Sequence, residues 1–476
     1  MQRVTPERYW SVHDIAATRR IEQRAAAALP PHALMRRAGL AVARLALAVA
    51  PHARTVWVAC GPGNNGGDGF EAALHLKAWG KEPLVTQVGD EARMPLDARD
   101  ALQRARAAGV QFAGEAPAQC ELAIDALLGI GSTRPPEGRL RDLMVQMTAR
   151  ARAVLSVDVP SGLDADTGSR AATVLATHTL SLLTLKPGLF TAQGRDACGQ
   201  VWFDDLGHED IEGERPVAQL VGPPVPWPRP HASHKGSYGD VAVVGGAPGM
   251  AGAAVLAARA ALHHGAGRVF VGFLDPSAPA FDASQPDLMV RPLDTLDFRD
   301  MALACGCGGG DAVAAVLPRA LRARALVLDA DALNAIAADA QLQAQLEARG
   351  RRGSPTVLTP HPLEAARLLG STTACVQGDR LVAARDLAQR FGSVVVLKGS
   401  GSVIAAPDGR TWINPTGNAR LAIAGTGDVL AGMIAARLAA GEEAATAATA
   451  AVYLHGLAAD RWPAGRPLTA SALASA

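Results

Sequence analysis

The stretch GPGNNGGDG, residues 61–69, lies between TVWVAC (55–60), whose pattern predicts a short buried strand, and FEAALHLKAWG (70–80), which predicts a helix closed by Gly80. It therefore reads as a strand-to-helix turn. Gly61, Gly63 and Gly66 satisfy GxGxxG, a spacing that lets the backbone approach a pyrophosphate at a helix N-terminus. Asn64 and Asn65 add side-chain donors and acceptors, and Asp68 adds a carboxylate near the first helical N–H groups. Taken alone, the stretch also suits a purely structural turn, with the asparagines in left-handed positions and Asp68 as N-cap.

Outward from this turn, apolar runs alternate with Ala- and Leu-rich helical stretches, the pattern of a parallel sheet covered by helices. The fold class is α/β. In the first half the strand candidates are TVWVAC, EPLVTQVG, ELAIDAL, AVLSVDVP and HTLSLLTL, in the order of a doubly wound, Rossmann-like sheet, with VWFDDLG as a closing strand. VGPPVPWPRPHASHKG (221–236) is too rich in proline for a helix or an interior strand to run through it. The expected division is thus a first domain over 1–212, a linker over 213–232 and a second domain over 233–476. The second opens with its own βαβ unit, DVAVVGGAPGMAGAAVLAARAALHHGAGRVFVGF.

The 476 residues suit two cores. Lys plus Arg total 46 against 45 Asp plus Glu, so no basic excess exists to drive nucleic-acid binding. The most apolar early stretch, AGLAVARLALAVA, is broken by Arg44 and too short to span a bilayer. The expectation is a cytoplasmic chain with no membrane partner. The six cysteines show neither CxxC nor zinc spacing, which points to reduced, mostly buried thiols.

In an open parallel sheet, ligands bind beyond the carboxyl ends of the strands. Asp125 ends ELAIDAL and is followed by GIGSTRP (129–135), while Asp158 ends AVLSVDVP and is followed by Ser161. Those turns and GPGNNGGDG are expected to share one crevice. Oxygen donors from Asn65, Asp125 and Ser161 suit a hard cation, which leaves Asp158 for proton transfer. Each aspartate taken singly also serves as a strand-end cap bonded to backbone amides.

In the second half, AGTGDVLAGMIAARLA puts Gly425, Thr426 and Gly427 at a helix start beside Asp428. Phosphoryl transfer needs such a layout of amide donors and a carboxylate near the attacking hydroxyl. VVVLKGSGSV ends a strand in Lys398, Gly399, Ser400, Gly401 and Ser402, which suits a nucleotide phosphate or a plain hairpin with a solvated lysine. VLTPHPLEAARLLG carries His361 at a helix entrance, and ALVLDADALNAIA ends a strand in Asp329 and Asp331.

GPGNNGGDG, DALLGIG and SVDVPSGLDADTG, in that order, resemble the NAD(P)H-hydrate epimerase domain over residues 10–210, and LKPGLFTAQG with Lys186 resembles that family's late loop. The likeness implies a Rossmann-like fold binding hydrated NADH or NADPH through Asn64, Asn65, Gly66, Gly67, Asp68, Gly129, Ile130, Gly131, Ser132, Thr133, Arg134, Pro135 and Asp158. It also implies potassium on Asn65, Asp125 and Ser161, and Asp158 as acid/base.

HKGSYGDVAVVGG, GCGGG (306–310), PHPLE and AGTGD together resemble the ADP/ATP-dependent NAD(P)H-hydrate dehydratases of the ribokinase-like group over 233–465. This second likeness implies hydrated dinucleotide near Ala254, Gly308, His361 and Asp428. It implies ADP, with magnesium, along Lys398, Gly399, Ser400, Gly401, Ser402 and Gly427, with Asp428 catalytic. The chain departs from the family pattern where GPGLG and PHPGE are usual, and Ala424 stands where glycine is common.

Together the likenesses imply a two-site repair enzyme that epimerises the R and S hydrates and dehydrates the S form, acting on small molecules as a homo-oligomer. Two alternatives stay open from the residues: a ribokinase-like small-molecule kinase fused to a dinucleotide-binding regulatory domain, and a first half that only senses dinucleotide.

Overall fold

The computed structural model describes residues 1–132, 134–170, 172–208, 213–226 and 229–476. The chain divides into two compact units, Met1–Thr5 with Trp10–Gln219 and Pro6–Tyr9 with Leu220–Ala476. A short strand, Ala218–Leu220, stands inside the segment expected to be linker. No helix of the described residues is long and apolar enough to cross a membrane.

In the first unit, Thr55–Cys60 pairs in parallel with Glu82–Gln87 on one side and with Cys120–Ala126 on the other. Gln111–Phe112 lies beyond Glu82–Gln87, whereas Ala151–Val157, His178–Leu182 and Gln200–Asp204 follow beyond Cys120–Ala126, all in parallel. Gln2–Arg3 pairs antiparallel with the last of these. The strand order thus reverses at Thr55–Cys60, and the glycine-rich stretch leaves that strand where such sheets open a crevice.

The helix after this strand spans Asn64–Ala78, so it begins inside the glycine run rather than after it. Gly63 is its N-cap, and Asp68 lies one turn in and is half-buried, which overturns the N-cap reading of that aspartate. The glycines allow close packing: a Cβ at Gly61 would lie 1.7 Å from the Leu127 carbonyl oxygen, and one at Gly66 would lie 2.0 Å from that of Gly61. Ala33–Val49 packs on the same helix through Gly39, where a Cβ would meet the Glu71 Cβ at 2.1 Å. The apolar side chains of these elements, among them Val42, Val58, Phe70, Leu122 and Ile124, are buried in one core, each contributing roughly 1.5–3 kcal/mol.

In the second unit, Asp240–Gly245 pairs in parallel with Arg268–Phe273 and Ala302–Cys305, again at a reversal of strand order. Met289–Val290 lies beyond Arg268–Phe273; Ala325–Leu328, Thr356–Leu358 and Val394–Leu397 continue the parallel run on the other side. Val403–Ala405 and Thr411–Ile413 extend it as antiparallel strands. The helices Ala251–His263 and Thr426–Ala439 are rich in Ala and Gly and so approach closely, a Cβ at Gly432 falling 2.0 Å from the Ala257 carbonyl oxygen.

Candidate functional site

A cleft of about 680 Å³ opens in the first unit at the strand reversal. Its wall includes Asn64, Asn65, Asp68, Gly129, Ile130, Gly131, Ser132 and Asp158 from the expected set. Lys186 joins them, and the helix Ile15–Ala27 adds Thr18, Arg19 and Glu22, which no motif had marked. Gly66 and Gly67 are buried helical positions, Gly67 against Met35, so they serve packing and are not part of this wall. Arg134 and Pro135 are exposed beyond it, and Thr133 lies outside the described residues.

Asp158 occupies the left-handed region, φ 65°, immediately after the strand Ala151–Val157. Its Oδ1 accepts from the Leu182 N–H at 3.2 Å and from the Lys186 ammonium. That lysine is fully buried and also donates to the carbonyls of Leu182 at 2.8 Å and Thr184 at 3.0 Å. Burial, followed by the charges of Asp158, Glu22 and Glu71, pushes the Asp68 carboxyl well above the usual carboxylate range. Burial and Asp158 push Glu22 the same way. The cleft therefore sets the carboxyl groups of Asp68 and Glu22, both held toward their protonated forms, near the Lys186–Asp158 pair, a setting for proton exchange.

Asp125 and Ser161 stand behind this wall. The Asp125 carboxylate accepts from Ser156 Oγ at 2.8 Å, Ser161 N at 2.9 Å and Ser161 Oγ at 2.5 Å, and burial raises its pKa against these hydrogen bonds. Among the described residues it forms no ion pair, and the buried Asn65 Nδ2 has no hydrogen-bond partner. A buried carboxylate without a counter-charge, beside serine hydroxyls, is a donor set that fits a hard cation.

In the second unit, Lys398 Nζ lies 2.5 Å from Asp329 Oδ1, and Thr359 Oγ1 donates to the same oxygen at 2.9 Å. The turn 398–402 is a hairpin, since Val394–Leu397 and Val403–Ala405 are antiparallel, but its lysine is paired rather than solvated. Arg380 supports it from beneath, donating to the carbonyls of Leu397 and Lys398, both at 3.1 Å. Gly399 and Gly401 have φ 134° and 59°, and Ser402 Oγ donates to the Gly399 carbonyl at 3.1 Å.

Gly425, φ 93°, caps the helix Thr426–Ala439, which places Asp428 in its first turn. A Cβ at Gly427 would lie 3.3 Å from Lys398 Nζ, so lysine, aspartate pair and helix start converge. Burial, then the nearby Asp329 charge, raises Asp428 to about 6. Lys398 is raised as well: burial acts against its charge, but Asp329 and Glu364 outweigh it.

His361 caps the helix Pro362–Leu369, its Nδ1 accepting from the N–H groups of Leu363 and Glu364. The buried Glu364 closes the capping box and faces Lys398, an acid that the motif reading missed because its partner is distant in sequence. Gly308 has φ 59° and packs by Met250 and Ala253; Ala254 is fully buried in the core, not presented to solvent. A separate apolar cleft of about 570 Å³, lined by Val255, Phe273 and Phe281 among others, contains none of the Lys398–Asp428 group.

Residues 241–475 match the family described as NAD(P)H-hydrate dehydratase, and residues 31–188 match that described as YjeF-related protein N-terminus. The bifunctional NAD(P)H-hydrate repair enzyme Nnr of Escherichia coli (strain K12) is 38% identical over 96% of this chain and 90% of its own length. The ADP-dependent (S)-NAD(P)H-hydrate dehydratase of Neisseria meningitidis serogroup B is 44% identical over 53% of this chain and 88% of its own. A crystal structure of ADP/ATP-dependent NAD(P)H-hydrate dehydratase from Bacillus subtilis, co-crystallized with ATP/Mg2+, is 33% identical, covering 52% of this chain and 90% of that chain with a TM-score of 0.44. With both halves matched and a full-length relative at this identity, the chain belongs to the family of bifunctional NAD(P)H-hydrate repair enzymes.

Proposed function

We propose that the first unit interconverts the R and S hydrates of NADH and NADPH, and that the second uses ADP to dehydrate the S form, releasing AMP and phosphate. The observation that carries this reading is that each unit holds a lysine-paired aspartate at the carboxyl ends of its strands, Lys186 with Asp158 and Lys398 with Asp329.

In the first unit, Asp158 takes and returns the proton while the dinucleotide is held against the turn 129–132. Lys186 and the Leu182 N–H orient its carboxylate. Potassium on Asn65, Asp125 and Ser161 would neutralise the buried Asp125 charge and tie the glycine-rich helix start to the 125–131 turn.

In the second unit, Asp428 receives the proton of the substrate hydroxyl as that oxygen bonds to the terminal phosphorus of ADP; the bond from phosphorus to the bridging oxygen breaks and AMP departs. Phosphate then leaves with the electron pair of the C–O bond, and loss of a proton from the adjacent ring carbon restores the double bond. A carboxylate titrating near 6 is suited to accept that proton at neutral pH. Free N–H groups at the start of the helix Thr426–Ala439 stabilise charge on the transferring group.

Magnesium would arrive with the phosphates, because that ion keeps water and phosphate ligands and the Asp329 carboxylate is already paired with Lys398. When bound, it neutralises phosphate charge. The reading also carries a cytoplasmic location, where these cofactors are used, and a homo-oligomer, which light scattering would check.

The test is incubation of the purified chain with mixed R and S hydrates, ADP and magnesium, following the return of reduced-nicotinamide absorbance. Full recovery supports both activities, whereas recovery of only the S fraction, beyond spontaneous epimerisation, limits the reading to the second unit. No ADP-dependent recovery overturns the dehydratase assignment.

A further inference from the structure

The turn GCGGG, residues 306–310, holds its cysteine in a fixed position. Gly306 and Gly308 have φ 119° and 59°, conformations that glycine adopts readily. The Cys307 carbonyl accepts from the Gly246 N–H at 3.0 Å, and a Cβ at Gly245 would lie only 2.2 Å from the same oxygen. The backbone of Cys307 is therefore clamped against the strand Asp240–Gly245, and its side chain is fully buried.

Cys307 Sγ and carboxylate oxygens of Asp329 and Asp428 all lie within 4.8 Å of one another. Burial, then the charges of Asp428 and Asp329, raises the thiol well above its ordinary pKa, so it stays protonated and has one hydrogen to donate. Asp428 accepts it. Asp329 has other donors, Lys398 and Thr359.

We propose that Cys307 is a positioning residue of the dehydratase site, whose S–H donates to the Asp428 carboxylate, fixes its rotamer and favours its ionised, proton-accepting form. The proposal rests on the reading of Asp428 as the base. The groups facing Asp428 act in both directions: burial and the charges of Asp329 and Asp331 oppose ionisation, while the Cys307 hydrogen bond and Lys398 favour it. From the helix Ala444–Asp460, His455 bonds the Thr426 carbonyl at 2.9 Å and is held neutral by burial, its pKa lowered to about 4. The thiol is thus the uncharged donor of the set.

The test compares the full-length wild type with Cys307→Ala and Cys307→Ser. For Cys307→Ala we expect kcat for ADP-dependent dehydration to fall severalfold at pH 7 with KM for ADP little changed, and its acid limb to move up by about one pH unit. Cys307→Ser, which keeps a donor, should return the limb toward wild type. Epimerisation by the same preparations reports whether each variant is folded in its first unit, and ADP titration reports on the second.

An activity-independent reading comes from the infrared S–H stretch of Cys307, isolated by subtracting the Cys307→Ser spectrum. It should shift to higher frequency in Asp428→Ala. A wild-type pH profile in Cys307→Ala, or an S–H band indifferent to Asp428→Ala, overturns the proposal. If the wild type shows no ADP-dependent dehydration, the assignment of function fails, while the S–H band still decides whether the thiol serves Asp428.

Discussion

Lys398 reaches from the end of the strand Val394–Leu397 to that of Ala325–Leu328, where its ammonium meets an Asp329 carboxylate only 2% exposed. The two charges depend on each other, because removing one leaves the other without its counter-charge. Lys398→Met is expected to destabilise the second unit by about 3–5 kcal/mol and to abolish ADP-dependent dehydration. Urea unfolding of the full chain and ADP titration would check the two effects separately.

Asp158→Asn keeps the side-chain shape but removes the proton acceptor. Conversion of R to S hydrate should fall about 10²–10⁴-fold. Consumption of S hydrate with ADP should be unchanged in the same tube, and an equal loss of both rates would point to unfolding instead of chemistry.

Asp428 makes stability and activity depend on pH in opposite senses. Its pKa is raised from 3.8 to about 6 in the folded chain, so the folded state binds the proton more tightly than the unfolded one. The contribution of this group to stability is fully present below pH 3.8 and is lost as pH rises through about 6. Over the same interval the deprotonated, active form appears. Asp428→Asn should therefore be inactive in dehydration yet gain stability relative to wild type as pH is raised from 4 to 7, a difference readable from urea midpoints at each pH.

Two glycines on the packed helices of the second unit should respond differently to alanine. Gly432→Ala drives a methyl into the Ala257 carbonyl and is expected to cost about 1–3 kcal/mol. Gly252→Ala, on the helix Ala251–His263 with nothing within 4 Å, should be neutral or gain about 0.5–1 kcal/mol. Thermal melts of both variants decide.

The proposed cation predicts that epimerisation slows when potassium is exchanged for choline, and that Asp125→Asn loses this dependence. An epimerase rate indifferent to the exchange would remove potassium from the first site.

Much of the fold is legible along the chain. TVWVAC, EPLVTQVG, ELAIDAL, AVLSVDVP and HTLSLLTL all contain strands at the expected places, because continuous apolar runs bounded by glycine and polar turns have few other outcomes. The start of the glycine-rich helix was not legible: local propensity argues against NNGGDG as helix, and only packing against Gly61 and Met35 makes small residues favourable there.

Strand-end aspartates announced the two sites, yet their partners did not announce themselves. Glu22 comes from a helix more than a hundred residues upstream of Asp158, and Glu364 looks like a capping residue until Lys398 is brought beside it. The hairpin at 398–402 is legible as a turn, but whether its lysine is solvated depends on Asp329, distant in sequence.

The φ of 65° at Asp158 has a bearing on how mutational surveys of this family should be interpreted. Glycine, asparagine and aspartate visit that part of backbone space at lower cost than most other residues. A saturation library scored merely for soluble expression would already penalise most substitutions at this codon, so depletion there measures conformational intolerance mixed with chemistry. Asparagine and glycine are the two replacements from which the chemical component can be extracted.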